Sequence, residues 1–144
     1  MKTLFQKILD LSESRISEFE EDIRKPDSLH KEFYIGFETY LRGLAEEIEE
    51  TKDEIKYNNS VYLEDELGDV FWDYMCLLQS LQKRGYISSV EKVFERSYKK
   101  FSERIEANRQ TTGCKSECWK DIKRKQKEEL KTEQDKINNN FANS

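Results

Sequence analysis

Pro26 is the only proline in the chain, and glycine occurs at just 5 positions. These are the two strongest interrupters of regular structure, proline because it lacks a backbone N–H and glycine because of its conformational freedom. A chain of 144 residues with so few of them must be built from long elements. Apolar residues recur among the charges at spacings of three and four, the period of a helix with one buried face. No stretch alternates apolar and polar residues as a strand would. The expected class is therefore all-α: a bundle of about five helices with an acidic antiparallel helix hairpin at its centre.

Leu4, Ile8, Leu11, Ile16 and Phe19 mark a first helix over about residues 3–24, stopped by Lys25-Pro26-Asp27. Phe37, Leu41, Leu44, Ala45, Ile48 and Ile55 mark a second over about 28–57. Asn58 and Asn59 form a turn, and Ser60 is the expected N-cap of a third helix reaching about residue 84, with Gly85 as its stop. Ser88 opens a fourth helix through a capping box with Glu91, running to about 108. Ser116 caps a fifth that ends near residue 136. Residues 1–137 read as a single domain, and the polar tail 138–144 reads as disordered.

Composition narrows the function classes. Charged residues make up 38% of the chain against 35% hydrophobic, which suits a small bundle with much exposed surface or an oligomer. The net charge of −5 argues against a partner among nucleic acids, which favour basic surfaces. No run approaches the ~18 apolar residues of a membrane span. The N-terminus lacks the uninterrupted apolar core of a signal peptide. Three cysteines, an odd count, read as reduced thiols in a cytoplasmic protein. Cys114 and Cys118 are four apart, but the single histidine, His30, lies far away in sequence, so no zinc site is expected.

The acids between Leu44 and Tyr74 carry the most information. If the second and third helices form an antiparallel hairpin about residue 58, Glu50 lies level with Glu66 and Glu47 with Asp69. At roughly 100° per residue, Glu47 and Glu50 share one flank of Ile48, and Glu66 and Asp69 share the corresponding flank of Leu67. Asp73 continues that flank one turn further on, opposite Gly43, which leaves room for it. Four carboxylates at matched heights repel one another and raise each other's pKa values. A divalent cation relieves that repulsion, and oxygen ligands suit Mg2+, with Mn2+ as a substitute. The alternative is a solvated acidic face paired with lysines. A di-iron bundle would need Glu-x-x-His on two helices, and the one histidine is elsewhere.

The pattern Glu46-Glu47-x-x-Glu50 followed by Glu66-x-x-Asp69, in "LEDELGDVFWDY", resembles the all-α nucleoside triphosphate pyrophosphohydrolases of the MazG type. "YKKFSERI" is similar to that family's Lys-Phe-x-x-Arg stretch, and "ECWKDIKRKQK" to its Trp-x-x-x-Lys element. The resemblance covers about residues 38–127 in the family's order. A Cys-Pro-Trp-Asp stretch frequent in the family is absent, and Tyr62 stands where many members have lysine.

The resemblance implies an enzyme that cuts a nucleoside triphosphate between its α and β phosphates, giving monophosphate and pyrophosphate. Glu47, Glu50, Glu66 and Asp69 would be its catalytic metal ligands, with Glu50 the candidate to take the proton of the attacking water. Lys100 and Arg104 would grip phosphate, Trp119 would stack on the base, and Lys123 would reach phosphate or ribose. It also implies a homodimer or a dimer of dimers. Narrower substrates, namely dUTP, dCTP or phosphoribosyl-ATP, fit the same pattern. So does a non-catalytic helical module that binds nucleotide without turnover.

Overall fold

The computed structural model describes residues 1–144. It contains five α-helices and no strand: α1 (Leu4–Asp22), α2 (Phe37–Glu54), α3 (Ser60–Lys83), α4 (Val90–Gln110) and α5 (Lys115–Ala142). The all-α expectation and the helix number hold. The chain divides into two compact units, Met1–Val90 and Glu91–Ser144. No helix is long and apolar enough to cross a membrane.

In the first unit α2 and α3 pack side by side, and α1 lies against α3. Ile16, Phe19, Tyr34 and Cys76 form the buried cluster, with Ile23, Tyr40 and Trp72 packed around it. Burying an aliphatic side chain such as Ile16 completely is worth about 1.5–3 kcal/mol. Thr3 caps α1 by accepting the Gln6 N–H at 3.1 Å. At the end of α3, Gly85 takes φ +78°, and the N–H groups of Gly85 and Tyr86 bond to the carbonyls of Gln82 and Leu81. That is the Schellman pattern, and it confirms Gly85 as the stop.

In the first unit three boundaries depart from expectation. The second helix starts at Phe37, not near residue 28. Residues 28–36 are a strap held by the end of α1: Asp22 accepts from the Ser28 hydroxyl and contacts His30 Nδ1 at 2.9 Å. Phe19 stacks on Tyr34 with ring centroids 4.9 Å apart and meets Phe33 edge-on at 5.3 Å. Gly36, at φ +116°, turns the strap into α2. A helix from residue 28 would forfeit these tertiary contacts, so packing overrides local pattern here.

The other two departures concern caps. Ser60 is the first residue of α3 rather than its cap, because Asn58 in the left-handed region (φ +57°) and Asn59 complete the turn. Asn59 Nδ2 donates to the Glu54 carbonyl at 2.8 Å, tying the end of α2 to the start of α3. α4 begins at Val90 rather than Ser88, with the Val90 N–H donated to Gln82 Oε1 at 2.8 Å.

The second unit is α4 and α5. Long polar side chains join the two helices: Arg96 reaches Glu133, Lys99 reaches Glu129, and Arg104 Nε donates to Gln126 Oε1 at 2.7 Å. The connection closes where Asn108 Nδ2 donates to the Lys115 carbonyl and Lys115 Nζ donates to the carbonyls of Asn108 and Thr111. α5 begins at Lys115, with Cys114 rather than Ser116 at the cap position. It runs to Ala142, so residues 138–142, expected to be disordered, are helical.

Candidate functional site

The acidic seam lies between α2 and α3. Carboxylate oxygens of Glu47, Glu66 and Asp69 all lie within 4.8 Å of one another. Glu47 and Glu66 are half-buried and Asp69 is exposed. Glu47 Oε2 and Glu66 Oε2 are shielded from solvent and have no hydrogen-bond partner. A buried acceptor without a partner costs about 1–3 kcal/mol, and more if charged, so two such oxygens facing one seam need an explanation.

Electrostatics point the same way. Burial, then the charges of Glu50, Asp69, Asp73 and Glu66, holds the Glu47 carboxyl above its ordinary range. Burial, then Glu50 and Asp69, does the same to Glu66. Asp73 is raised by burial, then by Asp69 and Glu46. No lysine or arginine relieves these three. The donor set is entirely carboxylate oxygen, which is the chemistry of a hard divalent cation such as Mg2+. The seam therefore fits such an ion on the strength of its own orphaned oxygens.

The structure brings together three of the four expected carboxylates. Glu50 is exposed and outside the group of three, although its charge is the strongest acidic influence on both Glu47 and Glu66. Asp73 sits against Gly43: a β-carbon at position 43 would come within 2.6 Å of Asp73 Oδ2. Gly68 behaves differently. Tight packing is the natural expectation for a glycine inside a helix beside a site, yet a β-carbon there would meet nothing within 4 Å.

The expected nucleotide contacts lie on α4 and α5. The guanidinium of Arg104 stands 5.4 Å from the Phe101 ring centroid and 5.8 Å from that of Trp119. Its Nε is bonded to Gln126, which leaves the terminal nitrogens without a carboxylate partner. Lys100 lines a cleft of about 350 Å³ between α4 and α5, and its carbonyl accepts from Gln126 Nε2 at 3.1 Å. Gln126, buried between the two helices, thus holds the Arg104 side chain and the Lys100 backbone carbonyl. Lys123 is exposed and lines a surface hollow with Lys120, Arg124 and Lys127 that is not the cleft lined by Lys100.

Sequence reasoning missed Gln126. It also missed a buried polar network in the first unit. Tyr34 Oη donates to Glu20 Oε1 at 2.7 Å and lies 2.7 Å from Ser80 Oγ, while Arg84 Nε donates to Glu20 at 2.9 Å. Nothing in local spacing signals a contact that spans three elements.

Residues 35–108, just over half of the chain, match the model of the MazG nucleotide pyrophosphohydrolase domain. The chain belongs to that family. No curated protein and no solved structure matches it. The MazG match contains the whole acidic seam together with Lys100 and Arg104, and stops before Trp119 and Lys123. Membership of the MazG family implies hydrolysis of nucleotides, and the carboxylate group of Glu47, Glu66 and Asp69 is compatible with the metal such chemistry uses.

Proposed function

We propose that the chain is a Mg2+-dependent nucleoside triphosphate pyrophosphohydrolase that cleaves between the α and β phosphates. The observation that carries this reading is the pair of shielded, unpartnered oxygens, Glu47 Oε2 and Glu66 Oε2, inside the family-matched segment. Glu47, Glu66 and Asp69 hold the ion, with Glu50 alongside. Bound Mg2+ supplies charge neutralisation at the phosphates and a more acidic water. Glu50, exposed and outside the oxygen cluster, is free to accept the proton of the attacking water.

Lys100 and Arg104 bind phosphate. The free fork of Arg104 suits two oxygens at once, and the neighbouring rings restrain its plane. Trp119 stacks on the base, and Lys123 makes a second phosphate or ribose contact. The family match crosses the boundary between the two units at Val90, which supports treating residues 1–137 as one functional domain. Leu41 and Ile48 on α2 and Leu67 on α3 are 53%, 45% and 49% exposed, which supports a homodimer or dimer of dimers that covers them.

The test is pyrophosphate release from a panel of ribo- and deoxyribonucleoside triphosphates, with Mg2+ and with EDTA. Metal-dependent release with the matching monophosphate is expected. Folded, helical protein that releases nothing from any member of the panel overturns the reading.

A further inference from the structure

Cys114 and Cys118 are sulfur nucleophiles that the proposed hydrolysis does not use. Both line one open hollow of about 480 Å³, shared with Ala107, Thr111, Glu117 and Asp121. Cys114 occupies the cap position of α5 in an extended conformation (φ −68°, ψ 115°), with its side chain exposed. Its Sγ lies 3.3 Å from Ser116 Oγ. The Ser116 hydroxyl, then the backbone N–H groups of Glu117 and Ser116, hold its thiol below the ordinary range. Donors of this kind at a helix start favour the thiolate, which is the reactive form.

Cys118 follows one turn later. Its N–H donates to the Cys114 carbonyl at 3.1 Å, which puts the two side chains on one face. Its thiol donates to the Ala107 carbonyl at 3.5 Å. The third cysteine behaves oppositely: Cys76 is wholly buried, and burial pushes its thiol up to about 12. A chain with three free thiols thus separates one inert sulfur from two that share an open hollow.

We propose that Cys114 and Cys118 form a reversible thiol–disulfide site, with Cys114 the attacking sulfur, Cys118 the resolving sulfur, and a low-molecular-weight disulfide the oxidant. The Cys114 thiolate attacks one sulfur of the small disulfide. That S–S bond breaks, one small thiolate leaves, and a mixed disulfide forms at Cys114. Cys118 releases its proton to solvent and attacks Cys114 Sγ, expelling the second small thiolate. The two protein thiols lose two electrons, and the small disulfide gains them.

Side chains four apart on a helix have Cβ atoms about 5–6 Å apart, whereas a disulfide needs about 3.8 Å. One end must therefore move. Cys114 can do so because its backbone is extended rather than helical, and only its carbonyl joins the helical hydrogen-bond ladder. A bond closed against such resistance is readily reduced again, as reversible sites require. Trp119 directly follows Cys118, so closure is felt in the turn that carries it.

The experiment treats the full reduced chain with oxidised glutathione and follows intact mass and peptide maps, beside C114S and C118S. The wild-type chain should lose two hydrogens through a 114–118 bridge. C118S should stop as a glutathione adduct on Cys114, C114S should react several-fold more slowly, and Cys76 should stay unmodified throughout. A wild-type product that stays as the adduct, first attack at Cys118, or a disulfide-linked dimer would each overturn the proposal.

Discussion

The carboxylate of Asp73 on α3 occupies space that only the missing side chain of Gly43 on α2 leaves open. A β-carbon at position 43 would sit 2.6 Å from Asp73 Oδ2. The pair lies one turn along the seam from Asp69, so any displacement of Asp73 is transmitted to the proposed metal ligands.

Gly43→Ala should therefore cost about 1–3 kcal/mol of stability through overpacking, and should weaken Mg2+ binding. Gly68→Ala is the contrasting change. It has open space and helical backbone, so it should stabilise by about 1 kcal/mol. Urea denaturation of both variants, with Mg2+ titrations, checks the pair. Equal effects would show that the Gly43 contact has no special role.

Glu66→Gln should remove a shielded charge and its repulsion from Glu50 and Asp69. The apo form should melt higher than the unsubstituted apo chain, while Mg2+ affinity and turnover fall. Removing a residue behind a metal ligand costs about 10–100-fold, and losing a ligand itself should cost at least as much. Unchanged turnover with intact folding would remove Glu66 from the site.

Acidity offers a third test. Glu47, Glu66 and Asp73 are all held above the ordinary carboxylate range. A raised acid binds protons more tightly in the folded state. Its contribution is fully present below the unfolded pKa and is lost as pH rises through the folded one. In EDTA, thermal stability should thus increase as pH falls from about 7 toward 5. Asp22 and Glu103 act oppositely, since hydrogen bonds from Ser28 and Gln126 lower them, and their contribution disappears below the ordinary range. The curve should therefore turn over in stronger acid. Saturating Mg2+ should flatten the rise, because an ion held by the proposed ligands would already stabilise the ionised seam. Superimposable profiles with and without Mg2+ would count against a metal there.

The network around Glu20 can be tested without touching the seam. Tyr34→Phe removes one donor from Glu20 and the partner of Ser80, and should cost about 1–3 kcal/mol. Arg84→Met leaves the Glu20 carboxylate without its cation. It should cost more, on the order of 3–5 kcal/mol for a buried pair, somewhat less here because Arg84 is partly exposed. Chemical denaturation ranks the two, and the reverse order would mean that the hydroxyl, not the ion pair, holds the strap.

Arg104→Lys keeps the charge but loses the planar fork and its stacking against Phe101 and Trp119. KM for the nucleotide should rise severalfold with the fold unchanged, as steady-state kinetics and circular dichroism would show. An unchanged KM would place Arg104 outside the nucleotide contacts.

The amino-acid order alone determined the helical class, the number of helices, the Gly85 stop and the flanks on which the acids lie. Each of these is local: a 3.6-residue period, a left-handed glycine, a spacing of three. The order of residues also placed Asp73 opposite Gly43, because an antiparallel hairpin with a short turn leaves little choice of register. Only the tertiary structure decided that residues 28–36 leave the helix, since their stability comes from packing on Phe19 and Asp22 of α1 and from Ser80, 46 residues from Tyr34. It alone left Glu50 outside the group of Glu47, Glu66 and Asp69, and made Gln126 the link between the Lys100 backbone and the Arg104 side chain. Spacing defines which face a side chain leaves from, but which atoms lose their water depends on what packs across from them.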